Sequence, residues 1–378
     1  MIRRHTDDEL IVALKRHGSI HATAKAIGLS RRALQHRMPK LAQRGYSPEH
    51  DMTRIVPDGF NVRGVSSYYN ADGALTGQWV KSSADAERQR EMLEAAFAGM
   101  GDDLPRVKRV PAPKVVRPDL LSLYLITDYH LGALAWPEET RNEAWDMGVA
   151  EHLLKSWFDY AVDHAPDSET AVFAQLGDFL HFDGLEAVTP AHRNLLDADT
   201  RFTKLVRVGY ACVRYAITRM LEKHKYVHVI MAEGNHDPAS SAHLRESLRV
   251  IFEDNPRVEV DTSPDPYYCV EHGLTSLFFH HGHKRRPAEI DDVFASKFRE
   301  VFGRTKFSYA HMGHMHHKTV IESPLMVVEQ HRTLAAPDAY ASRGGWMSGR
   351  DAPVITYSKK YGEVARGTYS PDLVRAAA

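Results

Sequence analysis

From residue 121 onward, apolar residues gather into short runs at 121–126, 171–176, 227–231, 274–279 and 307–310, each of strand length. Between the runs the apolar positions recur at helical spacing, which predicts helices near 142–164, 197–224 and 242–252. Strands alternating with helices in this way predict a layered α/β architecture. The region so defined spans 119–378 and holds neither an internal repeat nor a low-complexity tract.

The earlier part of the chain reads differently. Helical periodicity recurs in three short segments, 7–16, 20–27 and 31–41, with Ser19 and Ser30 placed as N-caps and Gly28 at the turn between the last two. Ile20, Ala24, Ile27, Leu29, Leu34, Met38 and Leu41 would form their shared core. Two alternating stretches, NVRGVSSYYN and ALTGQWV, flank Ala71, Asp72 and Gly73 and predict a β-hairpin, with a charged helix following over 84–98. Prolines and lost periodicity mark 101–118 as a linker. The expected organisation is therefore 1–46, 47–100, 101–118 and 119–378.

Composition narrows the class. A chain of 378 residues exceeds the roughly 250 to 300 at which one core stops growing, so more than one folded unit is expected. Apolar residues at 43% and charged residues at 26% fit a globular chain and exclude a disordered or collagenous one. No run approaches the ~18 apolar residues of a spanning helix, and MIRRHTDDELIVALKRHG breaks into charge too early for a signal peptide. A cytoplasmic protein with no membrane partner is expected. Cys212 and Cys269, the only cysteines, exclude a disulfide framework and a thiolate metal site, and read as core residues. The net charge of −1 hides an imbalance: residues 1–46 carry ten Lys and Arg against Asp7, Asp8 and Glu9, a net +7, which leaves −8 for the rest.

The 23 histidines change the picture further, because many stand where the apolar runs end. In chain order the run ends are TDYH (127–130), GD (177–178), GNHD (234–237), HHGH (280–283) and HMGHMHH (311–317). An isolated Asp-x-His after a strand is usually a turn with a solvated histidine. Five such clusters at successive strand ends converge on the crevice where open α/β sheets place their sites.

These clusters resemble the calcineurin-like metallophosphoesterase pattern D-x-H, G-D, G-N-H-[DE], H, G-H-x-H, over about 121–320. The resemblance implies a four-layer α/β/β/α sandwich preceded by the small all-α module. It also implies two divalent ions, Mn²⁺ first, with Fe or Zn²⁺ as alternatives, since Asp, His and Asn donors without thiolate suit these better than Ca²⁺ or Mg²⁺. One ion would take Asp128, His130, Asp178 and His316, the other Asp178, Asn235, His281 and His314, with Asp178 bridging. His236 would serve as the acid beside the leaving group, with Asp237 orienting it; the alternative for His236 is a hydrogen bonder without acid function. Next to His281, His280 would point the other way by strand alternation, while His283 and His317 read as outer or solvent residues and His311 as packed.

The substrate is less sharply marked. TDYHLG and GDFLH are similar to the DNA-repair nuclease branch of the family, and His181 stands where the phosphoprotein phosphatase pattern has Asp. The segment ATAKAIGLSRRALQHRM resembles the helix-turn-helix family, which would place Arg31, Arg32, Gln35 and Arg37 toward nucleic acid, although Pro39 shortens or kinks that helix. Such a module joined to such a domain is similar to phage or prophage enzymes, and a homodimer is the state helix-turn-helix readers commonly adopt. The leading expectation is a two-metal phosphodiesterase acting on DNA, a nuclease. The alternatives are a phosphatase or phosphodiesterase for small nucleotides or phosphomonoesters, with the helices used for assembly, and a non-catalytic DNA-binding regulator. Lys284, Arg285 and Arg286 either extend the phosphate surface or form a solvated charge run, and the Gly-rich stretch around Trp346 and Arg350 carries no known phosphate-loop spacing.

Overall fold

The structure, a computed structural model, describes residues 5–43, 60–69, 75–84 and 110–377. The hairpin turn, the 84–98 helix apart from its first residue and the linker up to residue 109 lie outside the described residues. The chain splits into two compact units, Met1–Leu104 and Pro105–Ala378.

In the first unit, α1 (Asp7–His17), α2 (Ile20–Ile27) and α3 (Arg31–Gln43) form as the capping residues dictate. Thr6 and Glu9 close a capping box at the start of α1, and Ser19 and Ser30 accept from the backbone N–H of Ala22 and Ala33. Leu10, Leu14, Ala24, Leu34 and Leu41 are buried together, with Ile20, Ile27, Leu29 and Met38 packed against them. Strands β1 (Phe60–Tyr69) and β2 (Leu75–Ala84) pair antiparallel around the predicted turn.

The second unit is mixed α/β. A six-stranded sheet takes the order β13-β12-β3-β4-β5-β6, from β3 (Arg117–Ile126), β4 (Ser168–Gln175), β5 (Tyr226–Met231), β6 (Val258–Val260), β12 (Ala352–Ser358) and β13 (Gly362–Tyr369). A five-stranded sheet takes the order β10-β11-β9-β8-β7, from β7 (Tyr268–His272), β8 (Thr275–His280), β9 (Phe307–Met312), β10 (Thr319–Glu322) and β11 (Val327–Gln330). Strands β3, β4 and β5 are parallel, as are β8 and β9, so their carboxyl ends deliver the polar clusters side by side.

Strand alternation explains the packing. Leu121, Leu123 and Leu125 of β3 and Val172 and Ala174 of β4 share one core with Leu277 and Phe279 of β8 and with Ile355 of β12. Tyr124 and Phe173, from the opposite faces of β3 and β4, meet Phe158 of the helix Met147–His164. On the other sheet, Phe278, Ala310, Met312 and Val328 pack under Ile290 and Phe294, the latter from the helix Asp291–Lys297. Each Leu, Ile, Val, Phe or Met side chain buried in this way stabilises the fold by about 1.5–3 kcal/mol.

The predicted helices form with shifted starts. The first begins at Met147 because Asp146 caps it, accepting from Val149 N–H at 2.7 Å. The second spans Phe202–Lys223, since the Asp199 carboxylate instead receives Met147 N–H at 2.8 Å. The third starts earlier, at Pro238, whose fixed φ suits a first helical turn. No helix among the described residues is long and apolar enough to cross a membrane.

Candidate metal centre

Five of the seven expected ligands sit in left-handed backbone: Asp128 (φ 49°), His130 (46°), Asp178 (51°), His314 (76°) and His316 (53°). Non-glycine residues rarely adopt this region, Asp and His more readily than most, and each instance stores about 1–3 kcal/mol unless neighbours hold it. Here the loops hold one another: Asp128 N–H donates to Gly177 O at 3.1 Å, and His130 N–H to Asp178 O at 3.0 Å. Two glycines permit the approach. A Cβ on Gly234 would lie 1.9 Å from Asp178 Oδ1, and one on Gly313 would lie 1.8 Å from Thr127 Oγ1.

The folded strand ends bring the ligand atoms together. Asp128, Asp178, His281 and His314 offer atoms within 4.8 Å of one another, and so do Asp128, His130 and His316. Asp128 belongs to both groups. Its Oδ2 accepts from Thr127 Oγ1 at 2.5 Å and from His314 N–H at 2.8 Å, whereas its buried Oδ1 has no hydrogen-bond partner. Asn235 Oδ1 stands 3.2 Å from His281 Nε2, so all seven expected ligands lie in one cluster.

The donor chemistry fits a cation. His281 Nδ1 lies 2.8 Å from Leu176 O, which can only accept, so Nδ1 carries the proton and Nε2 is a bare lone pair. That lone pair faces Asp178 Oδ2 and Asn235 Oδ1, both at 3.2 Å. Acceptor against acceptor is repulsive unless a positive charge sits between them. Without an ion the ring itself must take a second proton. Burial opposes that, yet the carboxylates of Asp178 and Asp128 push its pKa up to about 9. The same pairing, against burial, lets His316 and His281 hold the Asp128 carboxyl well below the usual range. On the other side of Asp128, His316 Nε2 lies 3.2 Å from Oδ1 and 3.4 Å from His130 Nε2.

His236 stands beside this cluster, its ring 4.8 Å from that of His130 between centroids. Its Nδ1 lies 2.9 Å from His181 O, so Nδ1 donates there, and its backbone N–H donates to Asp178 Oδ1 at 2.8 Å. The ring is thus oriented by His181 rather than by Asp237. Both Asp237 oxygens are engaged elsewhere, accepting from Leu180 N–H at 3.0 Å and Gly234 N–H at 3.1 Å, which makes Asp237 a strut between the GD and GNHD loops. Burial, with the charge of Asp178 adding to it, pushes the Asp237 carboxyl up to about 7.

Other residues take places the sequence marked faintly or not at all. His181, visible only as the close of GDFLH, is buried with Nδ1 3.2 Å from His130 Nδ1 and with Nε2 unpartnered, and burial pushes it down to about 3. Thr333, with no motif around it, donates to Asp128 O at 2.6 Å. His280 points away and stacks on Tyr267, while the His283 ring lies 5.2 Å from that of His281. A further buried group, His311, Glu329 and His331, is already saturated: Arg366 grips Glu329 with two 2.7 Å bonds, and His311 bridges His331 and Tyr357.

In the first unit, Arg31, Arg32 and Gln35 are exposed on α3. Arg37 is committed within the unit, to the Asp7 carboxylate and, at 2.8 Å, to His5 O.

No family model and no curated protein sequence matches the chain. Among solved structures the chain is similar to an archaeal phosphodiesterase, at 12% identity over 66% of this chain and 99% of that one, with a TM-score of 0.33. It is similar to Vps29 from Entamoeba histolytica complexed with zinc, at 11% identity over 66% and 99% of the two chains, with a TM-score of 0.27. It is also similar to 5′-nucleotidase from Candida albicans, at 10% identity over 71% of this chain and 54% of that one, with a TM-score of 0.31.

Proposed function

We propose that the protein is a metal-dependent phosphoesterase of the calcineurin-like class, and that it cleaves phosphodiester bonds in DNA. The observation that carries this reading is the pair of ligand groups that share Asp128, whose buried inner oxygen faces His316 Nε2 at 3.2 Å. Asp128, His130 and His316 would hold one divalent ion, and Asn235, His281, His314 and Asp178 the other, with Asp178 and Asp128 as the carboxylates between them. Bound there, two divalent ions supply Lewis-acid charge to a phosphoryl group and offset the charge that gathers in an in-line displacement. The donor set suits Mn²⁺, Fe or Zn²⁺. The four-layer α/β/β/α arrangement belongs to the same reading, supported by two sheets that share a core and carry helices on their outer faces.

The chain's own residues supply the rest. With Nδ1–H committed to His181 O, only the doubly protonated His236 ring carries a second proton, and its Nε2–H is the one that would pass to a departing alkoxide. Asp237 keeps the GNHD loop at the GD loop, so that this ring stays beside the ligands. DNA as substrate is supported by the net +7 of residues 1–46 and by exposed Arg31, Arg32 and Gln35 on α3, read as a helix-turn-helix that holds the polymer.

The test offers Mn²⁺-supplemented protein linear duplex DNA, circular single strand, a cyclic nucleotide and an aryl phosphate side by side. The expected ranking puts DNA first, with turnover lost in Asp178→Asn and His236→Ala. A wild type that turns over none of these removes the enzymatic reading, and preference for the cyclic nucleotide or aryl phosphate removes DNA as substrate.

A further inference from the structure

The helix Pro238–Ile251 begins directly after the GNHD loop, and its first turn is capped by a residue from a different loop. Asp237 stands at the N-cap position, yet its side chain makes no cap bond, because its oxygens are engaged with the N–H groups of Leu180 and Gly234. Pro238 has no N–H, which leaves Ala239 and Ser240 as the donors that an N-cap side chain normally satisfies. Asp183 receives both instead: Oδ2 accepts from Ala239 N–H at 2.8 Å and Oδ1 from Ser240 N–H at 2.7 Å. A carboxylate suits this place, since the positive end of the helix dipole lies there.

The cap reaches the metal centre through two residues of chain. His181, two positions before Asp183, accepts at its carbonyl from His236 Nδ1–H at 2.9 Å, and the two rings stack with centroids 5.6 Å apart and planes at 22°. His181 N–H donates to Leu131 O at 3.0 Å, and buried Phe182 lies against Phe202 with centroids 6.0 Å apart. The GD and GNHD loops are therefore joined at three successive levels: Leu180 to Asp237, His181 to His236, and Asp183 to the first turn of the helix. Asp237 fixes the chain before His181 and Asp183 fixes it after. Between them they set the plane of the His181–Phe182 peptide, whose oxygen orients the His236 ring.

We propose that Asp183 is a positioning residue for His236: by capping the helix from the opposite loop, it holds the His181 carbonyl where it fixes the pose of the His236 ring beside the ligands. What His236 then does rests on the phosphoesterase reading. Asp183 touches neither ligand nor reacting atom in this scheme, and its effect passes wholly through the His181 peptide.

The first readout needs no metal and no turnover. In EDTA, nuclear magnetic resonance of the full chain with isotope-labelled histidine should show His236 Nδ1–H as a protected downfield proton, identified by its absence in His236→Ala. Asp183→Ala should lose this signal, and Asp183→Asn, which keeps one acceptor for two N–H groups, should weaken it. If the alanine variant does not fold, the asparagine variant carries the test in the same direction. The second readout uses Mn²⁺-loaded protein and two esters, a thymidine dinucleotide, whose alkoxide needs a proton to leave, and an aryl phosphodiester, whose phenolate does not. Asp183→Ala should slow the dinucleotide about 100-fold in kcat, the cost of a misplaced group, and the aryl ester less than about threefold, with the stoichiometry of bound Mn²⁺ unchanged. An Nδ1–H signal that is absent from the wild type, or unchanged in both Asp183 variants, overturns the proposal. Equal losses on the two esters, or a lost Mn²⁺ equivalent, overturn it as well, because Asp183 would then act on the fold or the ligands rather than on His236. A wild type that turns over neither ester, while Asp183→Ala loses the Nδ1–H signal, rejects only the phosphoesterase reading; turnover with an unchanged signal rejects only the role of Asp183.

Discussion

The Thr333 hydroxyl donates to the backbone carbonyl of Asp128 at 2.6 Å, and both residues are buried. Asp128 holds a left-handed φ of 49°, so this bond helps to fix a strained peptide whose side chain belongs to both ligand groups. Thr333→Val keeps the volume and removes the donor. Outer contacts of this kind are worth about 10–100-fold in metal affinity. Calorimetric titration of Mn²⁺ should show a loss of that size in Thr333→Val and recovery in Thr333→Ser; equal affinity in all three would detach Thr333 from the centre.

Asp128 is common to both groups, whereas His314 belongs to one and His316 to the other. Asp128→Ala should therefore abolish stoichiometric Mn²⁺ binding, while His314→Ala and His316→Ala each keep one bound equivalent. The thermal readout follows from linkage: a hundredfold excess over Kd stabilises the native state by about 2.7 kcal/mol per site, so Mn²⁺ raises the wild-type Tm and EDTA reverses it. Elemental analysis after gel filtration that finds ions retained by Asp128→Ala would sink the shared-carboxylate arrangement.

How far the site could be read in advance depends on whether a contact lies within a motif. Asp128, His130, Asp178, Asn235, His281, His314 and His316 lie in the polar clusters that close the apolar runs, so strand ends locate the clusters, and the resemblance to the metallophosphoesterase pattern picks these seven out of them. Thr333 acts through a backbone carbonyl far away in sequence and leaves no local pattern. Asp237 looks like a partner for His236 because they are neighbours, but its oxygens meet N–H groups of two loops that only the tertiary fold brings together. The fold shows the same division: β3, β4 and β5 read as apolar runs, whereas the insertion of β12 antiparallel beside β3 is a long-range pairing that no periodicity announces.

Acid should destabilise the protein through a histidine remote from the metals. His224 is buried beneath β3 and β4, with Nε2 2.7 Å from Tyr124 OH and Nδ1 2.8 Å from Ser168 O. Burial pushes its pKa down from 6.5 to about 4. The unfolded chain therefore takes up a proton that the native ring refuses, so the stability is complete above about pH 6.5 and falls as pH drops toward 4. The loss attributable to this ring is about 3 kcal/mol. Urea unfolding of wild type and His224→Gln across this window should show a shallower decline in the variant; parallel declines would assign the acid sensitivity elsewhere.

The basic helix of the first unit separates two kinds of arginine. Arg31 and Arg32 are exposed on α3, whereas Arg37 is tied to Asp7 and to His5 O and so joins α3 to the start of α1. If the unit holds DNA through its phosphates, Arg31→Ala with Arg32→Ala removes two contacts and no internal bond. The slope of log affinity against log salt should then fall by about 1.8, at about 0.9 per phosphate, with the melting profile and the turnover of an aryl phosphate unchanged. Arg37→Ala should act differently, lowering the thermal stability of the helical unit by about 1–3 kcal/mol because a hydrogen-bonded, half-buried ion pair is broken. An unchanged salt slope in the double variant, measured by fluorescence anisotropy on duplex DNA, would remove α3 as the surface that holds the polymer.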